Sequence, residues 1–382
     1  MEATEFDAIL DAVRTFVERE VVPAEDEIEE TDAIPARIRT AAAAMGLFGY
    51  ALPEEYGGLG LTMSEEVRLA MVIGRTTPAF RSMFGTNNGI AGQVLVNFGT
   101  DAQKARYLPG LAAGELVASF ALTEPDAGSD PSGLRTRAVK DGDGYVINGQ
   151  KRFITNAPEA DLFMVFARTG DATEGTKGIS VFVVDATLPG VTVGPSDAKM
   201  GQRGAHTAEV FLEDVRVAAD ALVGGVEGDG FVAAMRSLAK GRLHIAGLSV
   251  GLAERLVEES LTHAVNQTQG GTRIADFQLV QAMLADSKTE TSAGRALVLE
   301  AARAYDDGSD TRTGPSCAKL FCTEMVDRVA DRAVQIHGGL GYMQDVKVSR
   351  FYRDARLFRL YEGTSEIQKT IIAKQMVRGA TR

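Results

Sequence analysis

The chain has little of what disulfide scaffolds, metal centres and nucleic-acid binders are made from. Its 382 residues hold two cysteines, Cys317 and Cys322, five positions apart in a helical-looking stretch. That spacing is poor for a metal pair, and two thiols in so long a chain point to a reducing compartment. The four histidines, His206, His244, His263 and His337, show no zinc-ligand spacing, so no metal is expected. No run of Lys or Arg can neutralise several phosphates together, and a formal net charge of −12 argues against nucleic acid as the main partner. One anionic nucleotide is still compatible with that balance. Residues 1–20 carry no signal-peptide pattern, and the longest weakly polar stretch, residues 41–52, is too short and too Gly-broken to span a bilayer. The expectation is a soluble, cytoplasmic protein with no membrane partner. No GxGxxG motif follows a predicted strand, which argues against a Rossmann-type site, and no GxSxG motif supports a hydrolase.

What is present is ordinary globular sequence, 45% hydrophobic and 24% charged, and longer than one core usually serves. Periodicity divides it. Phe6, Ile9, Val13 and Phe16 trace one face of a first helix, and Pro35 is well placed to start another. From about residue 117 the pattern changes to short β-like runs at 162–167, 179–184, 191–193 and 209–212. Asp143-Gly144 and Asn148-Gly149 supply turn signals around residues 145–147. From Gly230 helices return, with Ile245, Leu248, Leu252 and Leu256 on one face and Met325, Val329, Ala333 and Ile336 on another. Helices, then strands, then helices predict an α+β protein with segregated layers.

Four segments are unusual. Residues 120–130 (FALTEPDAGSD) pack hydroxyls, carboxylates, Gly and Pro together, yet on composition alone a capped turn is the commoner outcome. Residues 151–156 (KRFITN) read as a strand end and a turn. In residues 335–342 (QIHGGLGY) the glycine pair is either a helix C-cap or a place where a phosphate approaches bare backbone. In residues 361–368 (YEGTSEIQ), Thr364 or Ser365 is a natural N-cap.

Taken in order, these segments resemble the acyl-CoA dehydrogenase family along nearly the whole chain. Residues 53–58 (PEEYGG), 200–204 (MGQRG) through 209–215 (EVFLEDV), and 353–355 (RDA) are similar to further motifs of that family. The resemblance implies an N-terminal helical domain (1–116), a middle β-barrel-like domain (117–225) and a C-terminal four-helix-bundle domain (226–382). It also implies FAD-dependent oxidation of an acyl-CoA thioester to the 2-enoyl-CoA. In that reaction a carboxylate takes the α-proton and the β-hydrogen leaves as hydride to flavin N5.

By the same resemblance Glu362 is the base, its pKa expected to rise on burial from an ordinary value near ~4.3. Some relatives place the base on the long C-terminal helix just before an Arg. Here Gly241 precedes Arg242, so Glu362 alone matches. Phe120, Leu122, Thr123 and Ser129 are expected to line the flavin, with Phe153, Ile154 and Thr155 on its other side. Thr123 and Thr155 would donate hydrogen bonds to the ring edge. Gln335, Gly338 and Gly339 match the segment that holds the cofactor's adenosine diphosphate across a subunit interface. Thr364 and Glu366 match positions that also touch it. Ser129 and Arg242 resemble CoA contacts, and Gly363 a substrate contact. Against this stand plainer readings: Phe120 and Leu122 as strand core, Arg242 as a surface salt bridge. The implied partners are an electron-transfer flavoprotein and three further copies in a homotetramer, in the setting of fatty-acid β-oxidation.

The chain departs from the family pattern where an Arg that reaches the FAD pyrophosphate and a nearby Phe are expected. Gln267 and Gly270 stand there. Gln carries no charge, so a charge-assisted contact is lost. Ala239 replaces a common acidic residue and Phe153 a frequent Trp. Either FAD binds more weakly, or a different subunit supplies the arginine in a heterotetramer. The alternative functions are a flavin oxidase or monooxygenase on the same scaffold, and an FAD-poor partner subunit.

Overall fold

In the computed structural model, which describes residues 3–381, the first section forms α1 (Ala3–Phe16), α2 (Glu25–Thr31), α3 (Ala36–Ala44), α4 (Met63–Ile73), α5 (Pro78–Asn88), α6 (Ile90–Phe98) and α7 (Asp101–Ala113). Local chemistry sets their starts. Thr62 and Glu65 close a capping box on α4, and Thr100 and Gln103 close another on α7. Pro78 opens α5 behind Thr77, where its missing N–H costs nothing.

The middle section contains β1 (Ala118–Ala121), β2 (Arg137–Asp141), β3 (Gly144–Thr155), β4 (Leu162–Arg168), β5 (Ile179–Asp185), β6 (Val191–Val193) and β7 (Thr207–Ala218). They form one curled sheet in the order β1-β4-β2-β3-β7-β6, with β5 also paired to β4. Of the two turn signals, Asp143-Gly144 sits at the β2–β3 hairpin, but Asn148-Gly149 is no turn. β3 runs through it, and the register against β7 slips between Ile147 and Gly149, a bulge. Glycine is required there by close approach: a Cβ on Gly149 would lie 2.8 Å from Thr136 Cα.

The last section holds α8 (Gly230–Asn266), the short hairpin β8 (Thr268–Gln269) and β9 (Thr272–Arg273), then α9 (Gln278–Asp306), α10 (Thr313–His337), α11 (Lys347–Ala355) and α12 (Ser365–Ala380). At 37 residues α8 is about 55 Å long. It joins the other two layers. Phe6 and Val13 of α1 and Val67 of α4 share one core with Leu243, Leu248, Leu252 and Leu256 of α8 and Met325 and Val329 of α10. Each such side chain, fully buried, is worth about 1.5–3 kcal/mol. A second cluster sets Ala233 and Ala234 of α8 with α6 and α7 against Phe120, Met164 and Phe166, and a third fills the other face of the sheet. The site lies where these layers meet.

Candidate active site

The loop between α11 and α12 carries Glu362. Thr364 caps α12, accepting from Ile367 N at 3.3 Å, so the chain must turn sharply just before it. The turn is made by two successive residues in left-handed backbone, Glu362 at φ +56° and Gly363 at φ +89°. For glutamate that conformation stores about 1–3 kcal/mol, which the surroundings must hold in place. They do so through the carbonyls. Glu362 O accepts from Gln368 Nε2 at 3.1 Å and Arg242 Nε at 3.5 Å; Gly363 O accepts from Lys319 Nζ at 2.8 Å and Gln368 Nε2 at 2.9 Å.

The Glu362 side chain is thereby aimed at α8. Its Oε2 is buried without a hydrogen-bond partner among the described residues. A Cβ on Gly241 would stand 2.6 Å from that oxygen, so the bare backbone of α8 makes room for the carboxylate. Burial pushes its pKa above the usual carboxylate range, while Arg81, Arg242 and Lys319, in that order, pull it back. Lys319, itself buried, is pulled down to about 8 by burial, against the opposing charge of Glu362. A half-buried carboxylate with one oxygen kept from water and unpaired, and with three cations around it, can accept a proton from a bound carbon acid.

The segment at residues 120–130 is held from beneath by a buried ion pair. Lys151 Nζ donates to Glu124 Oε1 at 2.8 Å, Phe166 O at 2.7 Å and Leu122 O at 3.3 Å. Glu124 in turn accepts from the backbone N–H groups of Arg135 and Thr136. With all its donors satisfied, the pair fixes the loop rather than merely tolerating burial. The expected turn is present, with Glu124 and Ala127 bonded to one another through their backbones. Thr123 and Thr155 spend no hydroxyl on a protein partner among the described residues. Ser129 is exposed.

Strand alternation separates the other three. Phe153 is 60% exposed at φ +57°, with Arg152 over its ring, whereas Ile154 is 2% exposed and packed in the sheet's core. Ile154 therefore offers a ligand its backbone and not its side chain, a correction to the expectation that it lines the flavin. Phe120 and Leu122 are also core residues, Phe120 packed 4.7 Å from the Phe166 ring.

Arg242 is 8% exposed and bonded to the Glu362 carbonyl, so it is no surface salt bridge. At the far end of α10, Gln335, Gly338 and Gly339 are exposed. Gly338 ends the helix at φ +60°, and neither glycine's Cβ would meet an atom within 4 Å, leaving their backbone open. Thr364 is half-buried in its cap and Glu366 exposed in the first turn of α12.

These placements fit an FAD group. An exposed aromatic ring, two unspent hydroxyls and an open glycine backbone suit a flat ring and a diphosphate. Gly270 has its own structural reason. With Gly271 it forms the two-residue β8–β9 turn, at φ +58° and +81°, where a Phe would be strained.

Lys319, Gln368, Arg81, Tyr50 and His244 were not singled out from the sequence as site residues. Gln368 lay within a quoted motif; the others had no motif around them. Among the described residues there is no cluster able to hold a metal ion and no helix long and apolar enough to cross a membrane.

Residues 3–115, 119–215 and 228–377 match the models of the acyl-CoA dehydrogenase N-terminal, middle and C-terminal domains. The chain is 39% identical to a 3-(aryl)acrylate reductase of Clostridium sporogenes and 38% identical to an acyl-CoA dehydrogenase of Bacillus subtilis, covering 96% of each chain in both cases. It superimposes on the acyl-CoA dehydrogenase from Geobacillus kaustophilus with a TM-score of 0.93 at 36% identity, over 98% of each chain.

Proposed function

The chain belongs to the acyl-CoA dehydrogenase family, oxidoreductases acting on CH–CH bonds, and from that premise we propose that it oxidises an acyl-CoA thioester to the 2-enoyl-CoA with Glu362 as the α-proton base. The observation that carries this reading is Oε2 of the half-buried Glu362, itself buried, unpartnered among the described residues and facing the bare Gly241 backbone.

The cofactor proposed is FAD, which supplies, when bound, the acceptor for the β-hydrogen and its electron pair. Phe153 and the backbone of residues 120–123 and 154–155 would hold its ring, with Thr123 and Thr155 donating at the edge. Gln335, Gly338 and Gly339 would hold its diphosphate end, with Thr364 and Glu366 nearby. The rest is done by the chain itself. Burial raises the affinity of Glu362 for the α-proton, and the three cations keep enough of it ionised to take that proton. Lys319, Gln368 and Arg242 fix the carbonyls of Glu362 and Gly363, so the carboxylate does not search for its position. Ser129, Arg242 and Gly363 are proposed to meet the thioester or CoA, with electrons passing on to an electron-transfer flavoprotein and the chain working as a homotetramer.

The same residues would run the reaction backwards, Glu362 then delivering the proton, and reductases stand among the relatives. The test is Glu362→Gln, assayed with a panel of acyl-CoA esters and an artificial electron acceptor. Loss of a general base costs about 10²–10⁴-fold, and turnover unchanged by the substitution would remove Glu362 from the role.

A further inference from the structure

Helices α8 and α10 end side by side, and each end carries a histidine. His263 stands in the last turn of α8 and His337 closes α10, the one basic side chain in either last turn. Their rings stack, with centroids 4.0 Å apart and planes 23° apart. The stack joins two segments remote in sequence. Gln267 lies one turn beyond His263 and donates its backbone N–H to the His263 carbonyl at 3.0 Å. Gly338 and Gly339, whose backbone is open, directly follow His337. The pair therefore links the proposed seat of the cofactor's diphosphate to the position where the chain holds an uncharged Gln.

Two helix C-termini are a poor place for an anion. Their carbonyls present the negative end of each helix dipole, which repels a diphosphate and favours a cation. The cations of the flanking hairpin, α10 and α11 are already paired: Arg273 with Asp276, Arg332 with Glu290, Lys347 with Glu259. Lys288 of α9 lies further back along α8, beside Glu254 and Glu258. Of the acids on these elements, Glu259, Asp276, Asp286, Asp331 and Asp345, none bears on His263, whose one charged neighbour is His337.

The tautomer of His337 is fixed. Its Nδ1 lies 2.8 Å from the Ala333 carbonyl, which can only accept, so Nδ1 carries the proton of the neutral ring. Nε2 then presents a lone pair. Neutral, the pair offers a diphosphate one N–H, on His263, against lone pairs on both rings. One added proton turns Nε2 of His337 from acceptor to donor. A second is opposed by the first across the stack. Burial and then the charge of His337 hold His263 below the ordinary histidine range, which agrees with one proton for two rings.

We propose that His263 and His337 hold one shared positive charge that binds the diphosphate of FAD, so that the cofactor binds together with a proton. The proposal rests on FAD being the cofactor and on Gly338 and Gly339 meeting its diphosphate. A single imidazolium then supplies the charge-assisted bond that Gln267 cannot. The diphosphate favours the charged pair. Affinity is therefore full where the pair holds its proton and is lost as pH rises through the histidine range, about 6.5 and upward.

The experiment measures the Kd of FAD for the stripped protein by flavin fluorescence at pH 6 and pH 8.5, and proton uptake by calorimetry in two buffers of different ionisation enthalpy. The diphosphate diester of FAD gains no proton in this range, so any slope belongs to the protein. Wild-type protein is expected to bind FAD about tenfold to a hundredfold more weakly at pH 8.5, with uptake of up to about one proton. His263→Phe with His337→Gln, which keeps a ring and a polar side chain but no charge, should flatten that slope at the weaker affinity. Adding Gln267→Arg to this double variant should restore the tighter binding at both pH values. If the double variant does not fold, Gln267→Arg alone decides: it should strengthen binding more at pH 8.5 than at pH 6, and an equal gain at both overturns the proposal. Equal wild-type Kd at the two pH values, absence of proton uptake, or a slope that survives the double variant also overturns it, and leaves the FAD reading standing. Wild-type protein that binds no FAD at either pH refutes the FAD reading itself, and the proposal with it.

Discussion

Gly241→Ala isolates the position of the base from the stability of the fold. The added methyl would stand 2.6 Å from Glu362 Oε2, 2.9 Å from Cδ and 3.0 Å from Oε1. Ordinary contact begins near 3.4 Å, so the carboxylate must retreat by about 0.8 Å. It is the far end of a side chain and can do so, but its carbonyl is pinned, so the displacement falls on the carboxylate itself. A misplacement of about 1 Å at a reacting group costs roughly 10²-fold, or about 2.7 kcal/mol of transition-state stabilisation. Stability should move the other way or not at all, because Ala in a helix interior is about 0.8–1.0 kcal/mol better than Gly. The assay is kcat/KM with an acyl-CoA and an artificial acceptor, alongside a thermal melt of the same preparation. Unchanged kcat/KM would refute the claim that the bare α8 backbone sets the carboxylate. A fall in activity and melting temperature together would mean that the methyl disturbs packing instead.

Three further outcomes follow from the same site and its supports. Lys319→Met removes a cation that holds the Glu362 pKa down, so the acid limb of the kcat/KM profile should move to higher pH; a limb that stays put would leave Lys319 a purely structural role. Burial pushes Asp354 up to about 7 from 3.8, so the stability it contributes is fully present below its unfolded pKa and lost as pH rises through 7. Asp354→Asn should therefore gain on the wild type between pH 4 and 7, by no more than about 4 kcal/mol in urea unfolding; an equal difference at pH 5 and pH 8 would contradict it. Gln267→Arg should raise the flavin retained per chain after gel filtration, a charge-assisted bond being worth about 1.5–3 kcal/mol; a wild type already carrying a full, tightly held complement would show that the charge is not needed.

The elements that could be read from sequence were those whose physics is local. The faces of α1, α8 and α10 follow from helical spacing, and the Thr364 cap from one side chain beside its own helix. The opposed fates of Phe153 and Ile154 were also available from strand alternation, though a motif that treated the two alike hid them. Lys319 was not legible. It lies amid apolar neighbours on α10 and meets Gly363 only because α10 passes beneath a loop 44 residues later. Tyr50, Arg81 and His244 come from three elements and have no spacing that spacing rules could detect. Gly270 reads in sequence as a missing Phe and in the structure as half of a tight turn, because a motif comparison cannot see that residues 267–273 have become a hairpin.

These contacts also explain why the base belongs to a constellation and not to one position. Glu362 points at α8 only because Gly363 accepts φ +89° beside it and because Gln368, Lys319 and Arg242 fix the two carbonyls of that turn. Its carboxylate then occupies the volume that any side chain at position 241 would need. The two places for a base are thus mutually exclusive. A carboxylate at 241 would collide with Glu362, and Glu362 removed without it would leave Arg81, Arg242 and Lys319 facing one another around an empty centre. Moving the base demands at least two coupled changes, each harmful alone, which ties Gly241, Gly363 and Glu362 together more tightly than their separation along the chain suggests.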